Sequence, residues 1–199
     1  VATSRQAAPA AKRSARAISI GIRAAGSYDA QQSMPEEGLT MGGAGAVMRT
    51  RISSRLGVEL SLDALVGESQ DFTQTTVPVF ASATYHFLAE SAFQLYALAG
   101  LGAEFTRKEF LDGRYAFDKV DVGAQVGLGA ELFLSDNISL SGDIRANVMG
   151  NTSTKAKIRT DCIATSGSMT GFCDNIQSAT PGEKYHFGAQ FGLGANLYF

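Results

Sequence analysis

Eight charged side chains stand where this sequence is most regular. Arg23, Glu59, Asp63, Glu104, Asp121, Glu131, Asp143 and Arg145 each interrupt a stretch in which apolar residues alternate with small or polar ones. Charges at a period of two share one side of an extended chain, where they could form a polar network, line an ion path, or act as acid and base. Six carboxylates and two guanidinium groups cannot all pair, so a dry enclosure around them would be costly. His86 and His186 are the other acid-base candidates. Both have the parity of the charges, and no His-x-Ser pattern accompanies either. Cys162 and Cys173 lie 173 − 162 = 11 apart in a run rich in Ser, Thr, Gly and Asp. A pair in such a run reads as a disulfide formed in an oxidising compartment. Nothing has the spacing of a phosphate-binding loop or a metal cluster, so no cofactor and no metal are expected. A net charge of −2 argues against a nucleic-acid partner.

The elements that position these residues are extended strands. From Tyr185 to Phe199 every second residue is apolar (Tyr185, Phe187, Ala189, Phe191, Leu193, Ala195, Leu197, Phe199), and those between are small or polar. That is the period of a strand with two unlike faces. The same alternation predicts strands over 17–25, 55–65, 76–87, 93–105, 119–134 and 138–149. A Gly- and Ala-rich strand over 39–49 does not declare its outward face. Between them fall polar segments at 26–38, 66–75, 106–118 and 150–183, alternating with short turns at 50–54, 88–91 and 135–137. Pro78 cannot donate to a ladder and is expected near its strand's start or at a bulge. Gly123–Phe133 recurs at Gly188–Tyr198, an offset of 188 − 123 = 65, with a shorter echo at Gly100–Phe105. These glycines would leave room on the polar face for larger neighbours.

A long apolar-faced strand at a chain end is an aggregation hazard in an open sheet. A closed barrel in a bilayer removes the edge and needs the apolar face. The ending Gly194-x-x-Leu197-x-Phe199 resembles the C-terminal signal by which bacterial outer-membrane β-barrel proteins reach their assembly machinery. The resemblance extends over most of the chain to small eight-stranded barrels similar to the membrane domain of OmpA. It implies an all-β, eight-stranded antiparallel up-and-down transmembrane barrel with short periplasmic turns and long outer loops. It also implies residence in the outer membrane among lipid and lipopolysaccharide, with both termini periplasmic. Residues 1–16 are then a flexible periplasmic tail left after signal cleavage, and 17–199 the barrel. A soluble eight-stranded cup would need Lys, Glu and Thr on its wet face. The polar faces here are dominated by Gly, and aromatic residues cluster near the strand ends as in membrane girdles.

The expected function is non-enzymatic: a structural protein, or a subunit recognising an envelope or surface component through its outer loops. The candidate contacts are Phe110, Leu111, Tyr115 and Phe117 in the third loop, and Ile163, Met169 and Phe172 in the fourth. The alternative is a narrow or gated pore. A lipid A-modifying enzyme, known among barrels of this kind, ranks below both, because it needs a histidine near a serine or acid at the outer end. His86 is expected at the opposite end and His186 faces inward.

Overall fold

The computed structural model describes residues 18–30, 39–69, 72–88, 91–110, 115–158 and 185–199. They form eight strands: β1 (Ile18–Ala30), β2 (Leu39–Arg51), β3 (Leu56–Glu68), β4 (Phe72–His86), β5 (Phe93–Phe110), β6 (Tyr115–Phe133), β7 (Ile138–Ile158) and β8 (Tyr185–Tyr198). Each is antiparallel to the next, and β8 pairs with both β7 and β1, so the sheet closes as an eight-stranded barrel. At the seam the Phe199 amide donates to the Ile18 carbonyl at 2.9 Å.

Alternation decides which residues meet lipid. Ile18, Ile20 and Ile22 of β1, Leu56 to Leu62 on β3, Leu128 and Leu132 on β6, and Phe187 to Leu197 on β8 present exposed side chains at every second position. Such an apolar exterior is stable in hydrocarbon and unstable in water. Tyr85, Phe87, Phe93 and Phe199 lie at one end of this band, and Phe105, Tyr185 and Phe187 toward the other.

Residues 52–55, 87–88, 91–92 and 134–137 lie at one end, the turn end, and the opposite one is the loop end. Two turns share one device. The amides of Ile52 and Leu134 donate to the carbonyls of Leu56 and Ile138, both at 2.9 Å. The following serine hydroxyl accepts the amide of the same partner, at 3.0 Å for Ser53 and 3.1 Å for Ser135.

At the loop end the strands run further than their apolar faces. The segments 66–75 and 106–118, expected as loops, are mostly paired strand. Residues 69–71 alone join β3 to β4, and 111–114 join β5 to β6. Phe110, Tyr115 and Phe117 therefore belong to strands β5 and β6, with Phe110 opposite Tyr115 and Phe117 opposite Lys108. The reason is that backbone pairing does not need lipid. Beyond Phe105 and Val120 the outward positions become Arg107, Glu109 and Asp118, so the apolar signal stops while the ladder continues. β7 likewise reaches Ile158, past a bulge at Val120/Asp121 where the Thr152 hydroxyl caps the Val120 carbonyl at 2.7 Å.

Pro78 is neither near the strand's start nor at a bulge. The β3–β4 ladder runs from Leu56–Tyr85 to Leu62–Val79 and resumes at Leu65–Thr76 in the same register. The gap falls opposite Val77 and Pro78, while the other edge of Pro78 faces Glu104. A missing N–H is tolerated as a local break in one ladder.

Candidate functional site

The inward positions build a polar lumen in two parts. At the turn end four arginines face four carboxylates. Arg145 on β7 is fully buried; its Nε donates to Asp143 Oδ1 at 2.6 Å, and its Nη2 lies 2.9 Å from Glu59 Oε1 on β3. In a ring of eight strands, β3 and β7 are opposite walls, so this side chain spans the lumen. Arg49 on β2 donates through Nε to Glu59 Oε2 at 2.7 Å and through Nη2 to the Tyr96 hydroxyl at 2.9 Å. That hydroxyl in turn donates to Asp143 Oδ2 at 3.2 Å. Arg23 grips Asp63 with two donors, one of them Nε at 2.7 Å, and Gln190 adds a third bond to the same carboxylate at 2.8 Å. Arg51 donates to Gln94 Oε1 and lies 3.8 Å from Glu131. Glu131 also accepts from Ser139 and from the Tyr198 hydroxyl, the latter at 2.7 Å. Buried charges persist when paired and hydrogen-bonded in this way.

Glycines make the network fit. A Cβ on Gly129 would run into the Tyr96 ring, and one on Gly194 would meet the Ile22 carbonyl at 2.6 Å and Arg23 Cβ at 2.9 Å. These two positions correspond in the repeat, since 194 − 129 = 65. The shared Gly thus makes space for a bulky inward neighbour in both copies.

Toward the loop end the lumen first becomes apolar, with Phe80, Leu98 and Met149 buried. Beyond them a second polar cluster appears. Glu104 on β5 and Asp121 on β6 are direct cross-strand partners, and His186 on β8 pairs with Met149 of β7. His186 Nε2 lies 3.7 Å from Glu104 Oε1, and its Nδ1 lies 3.9 Å from Asp121 Oδ2. Lys119 Nζ approaches Asp121 Oδ2 at 3.0 Å, and the Thr106 hydroxyl donates to Glu104 at 3.2 Å.

All eight charged residues singled out from alternation are buried, six of them in the turn-end network and Glu104 and Asp121 at the loop end. The predicted imbalance of six acids against two bases does not hold. Arg49 and Arg51 enter the lumen from β2, the strand whose face the sequence left open. A signal was present: both share parity with Val47, and a lipid face excludes arginine, so the pair orients β2. The sequence also concealed the grouping of Glu104, Asp121 and His186. They come from three strands, and no local spacing joins them. His86 is buried at the turn end against Tyr96, with ring centroids 5.5 Å apart. Gly194 lines the wall, while Leu197 and Phe199 face outward. Residues 1–16, Leu111, Cys162, Ile163, Met169, Phe172 and Cys173 lie outside the described residues.

The family model for the outer membrane protein β-barrel domain matches residues 1–199. Among curated proteins none matches in sequence. Similar solved structures include Neisserial surface protein A, at 15% identity and TM-score 0.66, covering 92% of this chain and 99% of that one. A major outer membrane protein from Thermus thermophilus aligns at 13% identity and TM-score 0.57, over 92% and 99% of the two chains. The attachment invasion locus protein Ail of Yersinia pestis aligns at 15% identity and TM-score 0.56, over 94% and 100%. At these identities the likeness is one of fold.

Proposed function

The chain belongs to the outer membrane protein β-barrel domain family, and from that premise we propose that it is a non-enzymatic barrel whose work is done at its loop end, binding an envelope or surface component. The carrying observation is the extension of β5, β6 and β7 past the apolar band. There the outward side chains become Arg107, Glu109 and Asp118, and Arg107 Nε pairs with Glu109 at 2.7 Å. A paired-strand projection above lipid is a preorganised platform, and preorganisation lowers the entropic cost of recognition. Phe110, Tyr115 and Phe117 lie at the end of the β5–β6 ladder, Leu111 follows Phe110 in the sequence, and Ile163, Met169 and Phe172 belong to the longest connector. All seven are the proposed contact set, with Cys162–Cys173 as a proposed staple of that connector.

In this view both termini and the short turns are periplasmic, and the loop end faces outward. Lipid and lipopolysaccharide surround the apolar band. Gly194, Leu197 and Phe199 serve delivery by the barrel assembly machinery, with Leu197 and Phe199 displayed outward for it and Gly194 needed by the wall as well.

A narrow or gated pore is disfavoured by Arg145 reaching Glu59 across the lumen. Catalysis on lipid A is disfavoured because His186 is flanked by Glu104 and Asp121 inside the barrel, away from the lipid face. Replacing residues 107–117 with an Asn-Gly turn, followed by co-purification from native membranes in mild detergent, tests the proposal. Loss of a co-purifying component is expected, and an unchanged set removes the hairpin as the interface. Planar-bilayer recording of the intact protein is expected to show no steady unit conductance; a reproducible one would replace binding with conduction.

A further inference from the structure

We propose that Glu104, Asp121 and His186 form a binding site for one first-row divalent cation of the zinc type, within the loop end of the lumen. The three side chains come from β5, β6 and β8, and all are buried. One ligand atom from each can be chosen so that all three lie within 4.8 Å of one another. A zinc-type ion holds nitrogen and carboxylate oxygen at about 2.0–2.2 Å, which sets ligand atoms roughly 3–3.5 Å apart in a tetrahedral site. The 3.7 and 3.9 Å distances are made by the two different ring nitrogens of His186, so one nitrogen takes the ion and the imidazole turns to close a separation of at most 4.8 Å.

A second observation points to a ligand. Asp121 is fully buried, yet neither carboxylate oxygen has a hydrogen-bond partner within good geometry. Buried carboxylates are normally satisfied by several donors, and a divalent cation is the partner that satisfies two together. The compensating group in this arrangement is the Lys119 ammonium, at 3.0 Å from Oδ2. Its side chain keeps 24% of its exposure, so it can swing toward solvent when a cation takes its place. Asp29 on β1 adds negative charge. Its Oδ1 is also buried without a hydrogen bond, and it stands opposite Gly188, two residues from His186. One imidazole with two carboxylates is a hard-to-borderline donor set suited to zinc or manganese rather than to copper(I) or an iron–sulfur cluster. The remaining exposure of the Glu104 and His186 side chains, 10% and 7%, leaves an approach from the loop end. Among the described residues no comparable cluster lies at the turn end, where the carboxylates already have arginines.

The test uses the full chain, folded in detergent, carrying a non-histidine tag and stripped with chelator. Zinc is titrated in competition with a chromophoric chelator, and the absorption of bound cobalt(II) reports its coordination. One equivalent per chain is expected for the wild type. Asp121→Asn and His186→Gln are each expected to weaken binding at least about tenfold, whereas Glu109→Gln, on the outer face of the hairpin, leaves it unchanged. Cys162→Ser with Cys173→Ser is expected to keep the site; loss of uptake there assigns the ion to thiolates and overturns the proposal. Absence of stoichiometric zinc in the wild type, or equal affinity in all variants, also overturns it. Heat-modified electrophoretic mobility verifies folding, and if Asp121→Asn fails to fold, His186→Gln alone carries the test.

Discussion

At the turn end of the lumen each of Glu59, Asp63, Glu131 and Asp143 has an arginine within 4 Å, and the arginines come from three strands: Arg23 on β1, Arg49 and Arg51 on β2, Arg145 on β7. At the loop end Glu104 and Asp121 share one histidine, Lys119 approaches Asp121 alone, and the buried Asp121 carboxylate has no hydrogen-bond donor. One end is charge-balanced and cross-braced, so it acts as a structural plug. The other has a buried carboxylate without a hydrogen-bond donor and ligand atoms converging, so it is organised to receive something. The same barrel wall, with the same alternation, supports both. The difference lies in which strands contribute cations, and it separates a region that stabilises from one that can respond.

Three substitutions and one control break or sharpen this contrast. Arg145→Leu has the largest expected effect. It strips Glu59 and Asp143 of a buried partner, and breaking one side of such a pair costs about 3–5 kcal/mol. Equilibrium unfolding in denaturant, followed in detergent micelles, should show the drop, and a change below about 1 kcal/mol would mean the plug is not a brace. Gly129→Val comes next, because its side chain enters the space of the Tyr96 ring. Overpacking of that kind costs about 1–3 kcal/mol. Gly42→Ala is the control, since a Cβ there meets nothing within 4 Å, and equal losses from the two would refute the packing account. Asp121→Asn is expected to do least in chelator-treated protein. It removes one charge from an acid-rich cluster at the cost of the Lys119 pair, and the midpoint should correspond to within about 1 kcal/mol of the wild type. A loss as large as that of Arg145→Leu would make the loop end structural too.

The strands and the barrel were legible because lipid imposes a strict rule on one face. Ile18-Ser-Ile-Gly-Ile22 and Leu56-Gly-Val-Glu-Leu60 can be read at once, since hydrocarbon rejects polar atoms at every outward position. Where lipid ends, the rule ends. Arg107 and Glu109 sit as regularly on β5 as Leu101 does, yet without an apolar face they read as loop. β2 failed for a related reason: Gly42, Ala44 and Ala46 against Gly43 and Gly45 carry almost no contrast, so Arg49 and Arg51 were the only residues able to orient it.

By itself the sequence determined the number of strands, their outward faces in seven cases, and the inward turn of six acids, though not of Asp29, because each is a matter of period two along a single segment. Only the tertiary structure decided which of those inward charges meet. Closure of the ring brings β3 opposite β7 and lets Arg145 reach Glu59, and it sets β5, β6 and β8 at the heights that gather Glu104, Asp121 and His186. Those meetings depend on register and on the distance across the lumen. Neither quantity is carried by the pattern of any one strand, which is why the plug and the candidate cation site emerge only when the barrel is closed.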